Sequence, residues 1–326
     1  MIITRTPFRI SLGGGGTDLP SYYRENGHGF LIAAAITKYV YIAINENFNG
    51  DYLLRYSKVE HAESVGEIQH PLLRECIRKT DAPTNIEVTS IADVPAGTGL
   101  GSSGSFAVGA LKALHQYSHR TFSAESLAAQ ACEIEIDILS EPIGKQDQYI
   151  AAVGGVSAFT FRDDESVLVD RLTLDKITRG RLEDNLLLFY TGVRRSASEM
   201  LASESTSLKS SQVTKNNLSD TRAVGYATHK ILCAGDMTAF GRILTDQWKL
   251  KYERQPTELH QEVDKWIEIG MAAGALGGKL VGAGGGGFIL FYADRKDELR
   301  KTMAELGLFE VGFGVDYEGT AFSVSR

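Results

Sequence analysis

Phe8, Ile10 and Leu12 alternate with Arg9 and Ser11, the period-two pattern of a half-buried strand, and the run Gly13 to Gly16 ends it. Further β-rich stretches follow at Tyr39 to Ile44 and Ile86 to Ile91, with a polar loop around Ser57 to Gln69 between them. From Ser105 the pattern changes period: Ala107, Ala110, Leu111 and Leu114 recur at helical spacing. A second helix opens on Ser123 as N-cap and carries Leu127, Ala131, Ile134 and Ile138 inward, although Glu133 to Asp137 also alternates as a strand would. Val156 to Phe161 after Gly154-Gly155, and the apolar run Leu186 to Tyr190, predict two more strands.

The stretch 203 to 219 is dominated by Ser, Thr, Asn and Lys and predicts a mobile surface loop near a domain boundary. Beyond it, Asp236 caps a helix holding Phe240, Ile243, Leu244 and Trp248. Another helix runs from Glu262 and ends at Gly277-Gly278. Strands Lys279 to Val281 and Phe288 to Tyr292 flank a second glycine run, Gly284 to Gly287. The elements mix α and β, and no fixed-period repeat is present, which excludes solenoids and propellers. A length of 326 residues suits two packed domains better than one core, since cores stop growing at roughly 250–300 residues.

Charge narrows the partners. With 34 Lys+Arg against 41 Asp+Glu the net charge is −7, so no general basic field attracts nucleic acid or an anionic membrane, and any phosphate is bound locally. The longest clean apolar stretch, Phe30 to Ile36, is too short to cross a bilayer. Three scattered cysteines, Cys76, Cys132 and Cys233, in no metal-ligand spacing, and a start without a secretion pattern lead us to expect a cytoplasmic protein.

The densest chemical signal is Pro95-Ala96-Gly97-Thr98-Gly99-Leu100-Gly101-Ser102-Ser103-Gly104, between a predicted strand and a predicted helix start. Glycines let the backbone close on an anion, and the helix N-terminus offers N–H groups and a favourable dipole. Gly99 to Gly104 also spells G-x-G-x-x-G. However, Asp93 to Thr98 separate it from the strand, and no acid-tipped strand follows, which weakens a dinucleotide-binding reading. No Lys-Ser or Lys-Thr follows the glycines, so it is not a Walker A loop.

Taken in order, three segments resemble the signature motifs of the GHMP kinase superfamily: Thr6 to Asp18, Pro95 to Gly104, and Lys279 to Gly287. The resemblance covers nearly the whole chain. Thr17-Asp18-Leu19-Pro20-Ser21-Tyr22-Tyr23 and Ile32 to Ile36 are most similar to the bacterial D-glycero-D-manno-heptose 7-phosphate kinases, with L-fucokinases next. Gly15-Gly16 stands where galactokinases carry Glu-His, which argues against galactose.

The resemblance implies an α/β, two-domain GHMP kinase fold. A mixed-sheet N-terminal domain with the ATP/phosphate loop would span residues 1–184, and a ferredoxin-like C-terminal domain residues 185–326. The implied function is ATP-dependent phosphorylation of the anomeric hydroxyl of heptose 7-phosphate. The alternatives are a fucokinase-like enzyme acting on an unphosphorylated sugar and a catalytically silent sugar sensor. ATP and Mg²⁺ are the implied cofactors, and a homodimer stays open.

By the same resemblance Asp147, in Gly144 to Tyr149, is the catalytic base, with Arg9 beside it keeping it ionised. Ser103 and Glu135, the latter twelve residues before Asp147, hold the metal; Ser102, Glu133 and Asp137 are competing positions. Pro95, Gly97, Gly99, Leu100, Gly101, Ser102, Ser103 and Gly104 bind ATP phosphates. Gly15, Gly16, Thr17, Asp18, Gly284 and Gly285 bind the sugar, while Asp18 has a second reading as cap of a helix starting at Pro20. Arg194 and Arg195 are candidate clamps for a sugar phosphate, with Lys38, Lys249 and Lys251 as other cation sources.

Overall fold

The computed structural model describes residues 1–193, 200, 202 and 211–324. The first half of the chain builds a mixed sheet. Strands β1 (Ile2–Gly13) and β2 (His28–Glu46) pair antiparallel along their length, Arg9 standing opposite Ala35. The 19-residue β2 serves two neighbours: its start pairs with β6 (Val156–Arg162), its end with β5 (Ile86–Ala92). Beyond β5 lie β3 (Tyr52–Arg55), the sheet's parallel partner, and β4 (Val59–Ala62); β7 (Val167–Arg171) extends β6. The polar stretch 57–69 is therefore not a plain loop: it carries β4 and a short 3₁₀ turn, Val65–Glu67. In β4 only Glu60 and Ala62 are buried, too short an alternation to outweigh the surrounding polar residues.

Helices α1 (Pro20–Tyr23) and α2 (Pro71–Thr80) precede the long α3 (Ser102–Tyr117), and α4 (Ala124–Cys132) and α5 (Gln146–Val153) follow it. Ser123 caps α4 as its sequence predicts, its hydroxyl accepting from the Ser126 N–H at 3.1 Å. The ambiguous Glu133 to Asp137 is neither strand nor ordinary helix but one wide π turn, Glu133–Ile138. The extra residue in that turn buries the adjacent pair Ile134 and Glu135 together and leaves Ile138 47% exposed rather than inward.

After α6 (Lys176–Asn185) the second sheet begins with β8 (Leu186–Tyr190). Then come α7 (Gln212–Ala234), α8 (Met237–Arg254), α9 (Glu258–Ala272), β9 (Ala275–Leu280), β10 (Phe288–Ala293), α10 (Lys296–Glu305) and β11 (Phe309–Glu310). The strand order β11-β8-β10-β9, all antiparallel, is the ferredoxin-like arrangement. The chain then returns to the first sheet, where β12 (Ala321–Val324) pairs with β1. Residues 212–219, expected in a loop, form the first turns of α7, whose cap is the Ser211 hydroxyl accepting from the Thr214 N–H; residues 203–210 lie outside the described part. Among the described residues no helix is long and apolar enough to cross a membrane.

Two further expectations change. The helix predicted from Glu262 starts four residues earlier, on the Thr257 cap, and Gly277-Gly278 is not its terminator. The pair lies inside β9, where a Cβ on Gly277 would stand 2.2 Å from the Gly241 carbonyl oxygen of α8 and one on Gly278 2.6 Å from the Phe291 ring. These glycines let a helix and a strand approach closely. Nor is β1 half-buried: Arg9 and Ser11 are 5% and 8% exposed, because α3 and α5 as well as α7 pack against the strand.

Candidate active site

The three glycine-rich segments meet. The turn between β9 and β10 presses on the loop after β5 so tightly that a Cβ on Gly287 (φ +98°) would lie 1.9 Å from the Thr98 carbonyl oxygen. Both runs are rich in glycine because each is the other's wall. The loop continues into α3 through Gly101, a left-handed N-cap (φ +77°) with no side chain of its own to satisfy the first-turn N–H groups. A helix start left uncapped at a cavity is an anion site.

That cavity, about 370 Å³, is bordered by the loop from Ala96 to Gly104, by the turn after β1 and by the start of α5; α8 and the end of β9 complete it. Gly97, Gly99, Gly101, Ser102, Ser103 and Gly104 line it, as do Gly15, Gly16, Asp18, Glu135, Asp147 and Arg9. Other residues picked from the sequence fall behind the wall. Pro95 faces outward, its carbonyl accepting from Thr98, and Leu100 is a core residue, 1% exposed. Thr17 is fully buried: its hydroxyl lies 2.8 Å from the carbonyl oxygens of Gly14 and Phe30 and accepts from the Phe30 N–H, so it holds the turn together and has no face toward a ligand. Gly284 and Gly285 also stand back, the Gly284 carbonyl meeting His260 Nε2 at 2.8 Å; Gly282 and Ala283 line the cavity instead.

Asp147, in the first turn of α5, is gripped by Arg9. Nε donates to Oδ1 at 2.6 Å and an Nη to Oδ2 at 2.9 Å, while the other Nη donates to the Gly99 carbonyl at 2.6 Å. One guanidinium thus ties the carboxylate to the phosphate loop with planar, charge-assisted bonds. The Asp147 side chain keeps 24% of its surface open to the cavity, whereas that of Arg9 keeps 6%. At that exposure Arg9 is not a surface arginine.

Asp18 is 2% exposed and does not cap α1, whose N-cap is Leu19 with no side-chain bond. Its carboxylate accepts from the Gly16 N–H and from both the backbone and side-chain N–H of Gln146, each at 3.2 Å. Burial, and next the nearby Asp147, push its pKa up to about 6. Gln146, which sequence reasoning missed, also borders the cavity and has a buried Oε1 with no partner among the described residues.

Glu135 is 1% exposed, and burial pushes its pKa up to about 7 against the lowering pull of two donors, Ser103 Oγ and Gln148 Nε2 (2.6 Å). The structure separates it from its competitors. Glu133 is exposed and paired with Lys79, and Asp137 is exposed. Among the described residues Ser102 Oγ makes no comparable bond, and Ser103 is bonded to the acid rather than acting as the helix cap. Among the described residues no cluster of three or more His, Cys, Asp or Glu is present. Two hard oxygen donors beside a phosphate loop nevertheless fit Mg²⁺, which is commonly held by one or two carboxylates plus substrate phosphates.

Three cations reach the cavity that were not picked as site residues: Lys251, Arg254 and Lys279. Lys251, named only as one possible cation source, donates to the Gly282 carbonyl. Lys38 and Lys249 do not line it. Arg194 and Arg195 lie outside the described residues.

The sequence matches two family descriptions, the GHMP kinases N terminal domain over residues 70–155 and the GHMP kinases C terminal over residues 228–307. It is similar to the D-glycero-alpha-D-manno-heptose 7-phosphate kinase of Campylobacter jejuni, at 27% identity over 98% of this chain and 96% of that one. It is also similar to the L-fucokinase/L-fucose-1-P guanylyltransferase of Bacteroides fragilis, at 27% identity over 92% of this chain and 36% of that one. Among solved structures, a D-glycero-D-manno-heptose 1-phosphate kinase from Bacteroides thetaiotaomicron superposes with a TM-score of 0.82 at 25% identity, covering all of both chains.

Proposed function

We propose that this chain, which belongs to the GHMP kinase family, transfers the terminal phosphoryl group of ATP to the anomeric hydroxyl of D-glycero-D-manno-heptose 7-phosphate, giving the 1,7-bisphosphate. Phosphotransfer to a hydroxyl acceptor is the chemistry of the family and of this chain, and its similar relatives are sugar kinases. The heptose, the anomeric position and the phosphate already on the sugar are the proposed part. Both heptose kinases it resembles are named for a phosphorylated heptose, one at carbon 7 and the other at carbon 1.

The observation that carries the reading is the Arg9–Asp147 pair, fixed against the loop that would hold the ATP phosphates. Phosphoryl transfer has a loose transition state, so positioning and charge stabilisation do most of the work and a strong base is unnecessary. Asp147 orients the acceptor hydroxyl in line and takes its proton as the new bond forms. Arg9 holds that carboxylate aligned. The uncapped first turn of α3 and the loop N–H groups bind the phosphate oxygens. Ser103 and Glu135 would hold Mg²⁺, which neutralises phosphate charge when bound. Asp18 and the unpartnered Gln146 Oε1 accept from sugar hydroxyls. We place the reaction in the cytosol, where ATP and the chain's three free cysteines belong together.

A fucokinase-like enzyme is the second reading, favoured by the similarity to about a third of the L-fucokinase/L-fucose-1-P guanylyltransferase of Bacteroides fragilis. A silent sensor has no use for a carboxylate clamped beside a phosphate loop. The deciding experiment is coupled ADP release across heptose 7-phosphate, unphosphorylated heptose, L-fucose, mannose and galactose. The proposal expects the highest kcat/KM with heptose 7-phosphate; a preference for L-fucose or free heptose overturns it.

A further inference from the structure

Both signs of charge line the cavity, and the reading above gives work to the acids and to Arg9 but none to Lys279. β9 carries this lysine inward until it is 6% exposed. Its Nζ donates to Gln247 Oε1 at 2.8 Å, and Gln247 is itself fixed by donating to the Leu12 carbonyl at 2.7 Å. An ammonium has three donors. Here one meets a neutral amide, and among the described residues no carboxylate forms an ion pair with it. The charged groups that act on it are cations, Lys251 on α8 and Arg9 on β1, with Asp147 spoken for by Arg9.

Burying a cation beside two others opposes folding, and a methionine or glutamine would fill the same space without that cost. The arrangement becomes favourable when an anion enters the cavity that Lys279 lines. We propose that Lys279 is a phosphate-binding residue of this site, completing its cationic wall around a dianionic phosphate group: the phosphoryl group being transferred or the phosphate the sugar already carries. The inference rests on the phosphotransfer reading and extends it. It supplies the local cation that a chain of net charge −7 needs to hold a second phosphate.

A proton signature follows. Burial, and then Lys251 and Arg9, push the Lys279 amine well below the ordinary lysine range. A bound phosphate opposes that lowering, so binding raises the proton affinity of Nζ and strengthens as pH falls.

The test is calorimetric titration at mildly alkaline pH in buffers of contrasting ionisation enthalpy. Two ligand pairs are compared, each differing by one phosphate: the magnesium complexes of AMPPNP and ADP, and heptose 7-phosphate and heptose. The wild type should take up a proton with the extra phosphate of at least one pair. Lys279→Met should abolish that uptake and weaken that ligand roughly tenfold or more, leaving its counterpart unchanged. The pair that responds identifies which phosphate Lys279 holds. Because the substitution removes an amine whose charge is disfavoured by burial and by its cationic neighbours, the ligand-free variant should melt no lower than the wild type. A variant that binds all four ligands normally, or loses both members of each pair equally, overturns the proposal. If the wild type binds neither heptose, the heptose reading falls and the nucleotide pair alone decides for or against Lys279.

Discussion

Arg9 and Asp147 are 138 residues apart in sequence and joined by two parallel bonds of 2.6 and 2.9 Å. The fork–carboxylate geometry leaves the acid little freedom, and a third bond from the same guanidinium, to Gly99, sets its position relative to the phosphate loop.

Replacing Asp147 by Asn should therefore preserve folding and MgATP binding but lower kcat by ~10²–10⁴, as expected for loss of a positioned proton acceptor. Arg9→Lys keeps a cation but loses the fork, and should lower kcat with little change in KM for ATP. Steady-state kinetics with circular dichroism check both. A folded Asp147→Asn variant with near-normal turnover would remove Asp147 from the mechanism.

Glu135→Gln should raise the Mg²⁺ concentration needed for half-maximal activity by roughly tenfold, with partial recovery at high metal, because one charged oxygen donor is gone. Glu133→Gln and Asp137→Asn, both exposed, should leave the metal dependence unchanged. Metal titrations of the three variants decide; a metal phenotype at Glu133 instead would reassign the ligand.

Asp18 gives a pH signature. With its pKa raised from 3.8 to about 6, the folded protein holds a proton there that the unfolded chain has released. Asp18's contribution to stability therefore falls as pH rises from about 4 to 6 and stays low above. Asp18→Asn should abolish that fall and stabilise the ligand-free protein at pH 8 by about 1–3 kcal/mol. The same change should impair sugar use while sparing ATP affinity. In the wild type KM for the sugar should climb as pH drops through about 6. Thermal melts and sugar kinetics across pH 4.5–8.5 provide the check; flat profiles would contradict the assignment.

The candidate site is more legible in the sequence than its surroundings. A glycine loop before a helix carries its own physics, and so Gly97 to Gly104 could be read as an anion site from the residues alone. Arg9, Asp147 and Glu135 required the motif resemblance, since nothing local distinguishes them from surface charges. Asp18 shows why local reading fails: an acid before Pro20 looks like a cap, while its actual donor, Gln146, lies 128 residues away. Thr17 misled in the opposite direction, its polar letter serving a backbone turn. The π turn at Glu133–Ile138 has no periodicity of its own to read: its letters fit a helix and a strand at once, and the backbone is neither. Lys279 sat inside a recognised motif, but only its burial among cations marks it as unusual.

The most direct test of the account is identification of the product. Incubating the protein with ATP, Mg²⁺ and heptose 7-phosphate and following the phosphorus NMR spectrum should show ADP growing in step with a second sugar phosphate signal coupled to the anomeric proton, the original 7-phosphate signal persisting. The Asp147→Asn variant should produce neither in the same time. ADP formed without a new anomeric phosphate, or a new phosphate coupled to any other carbon's proton, would contradict it.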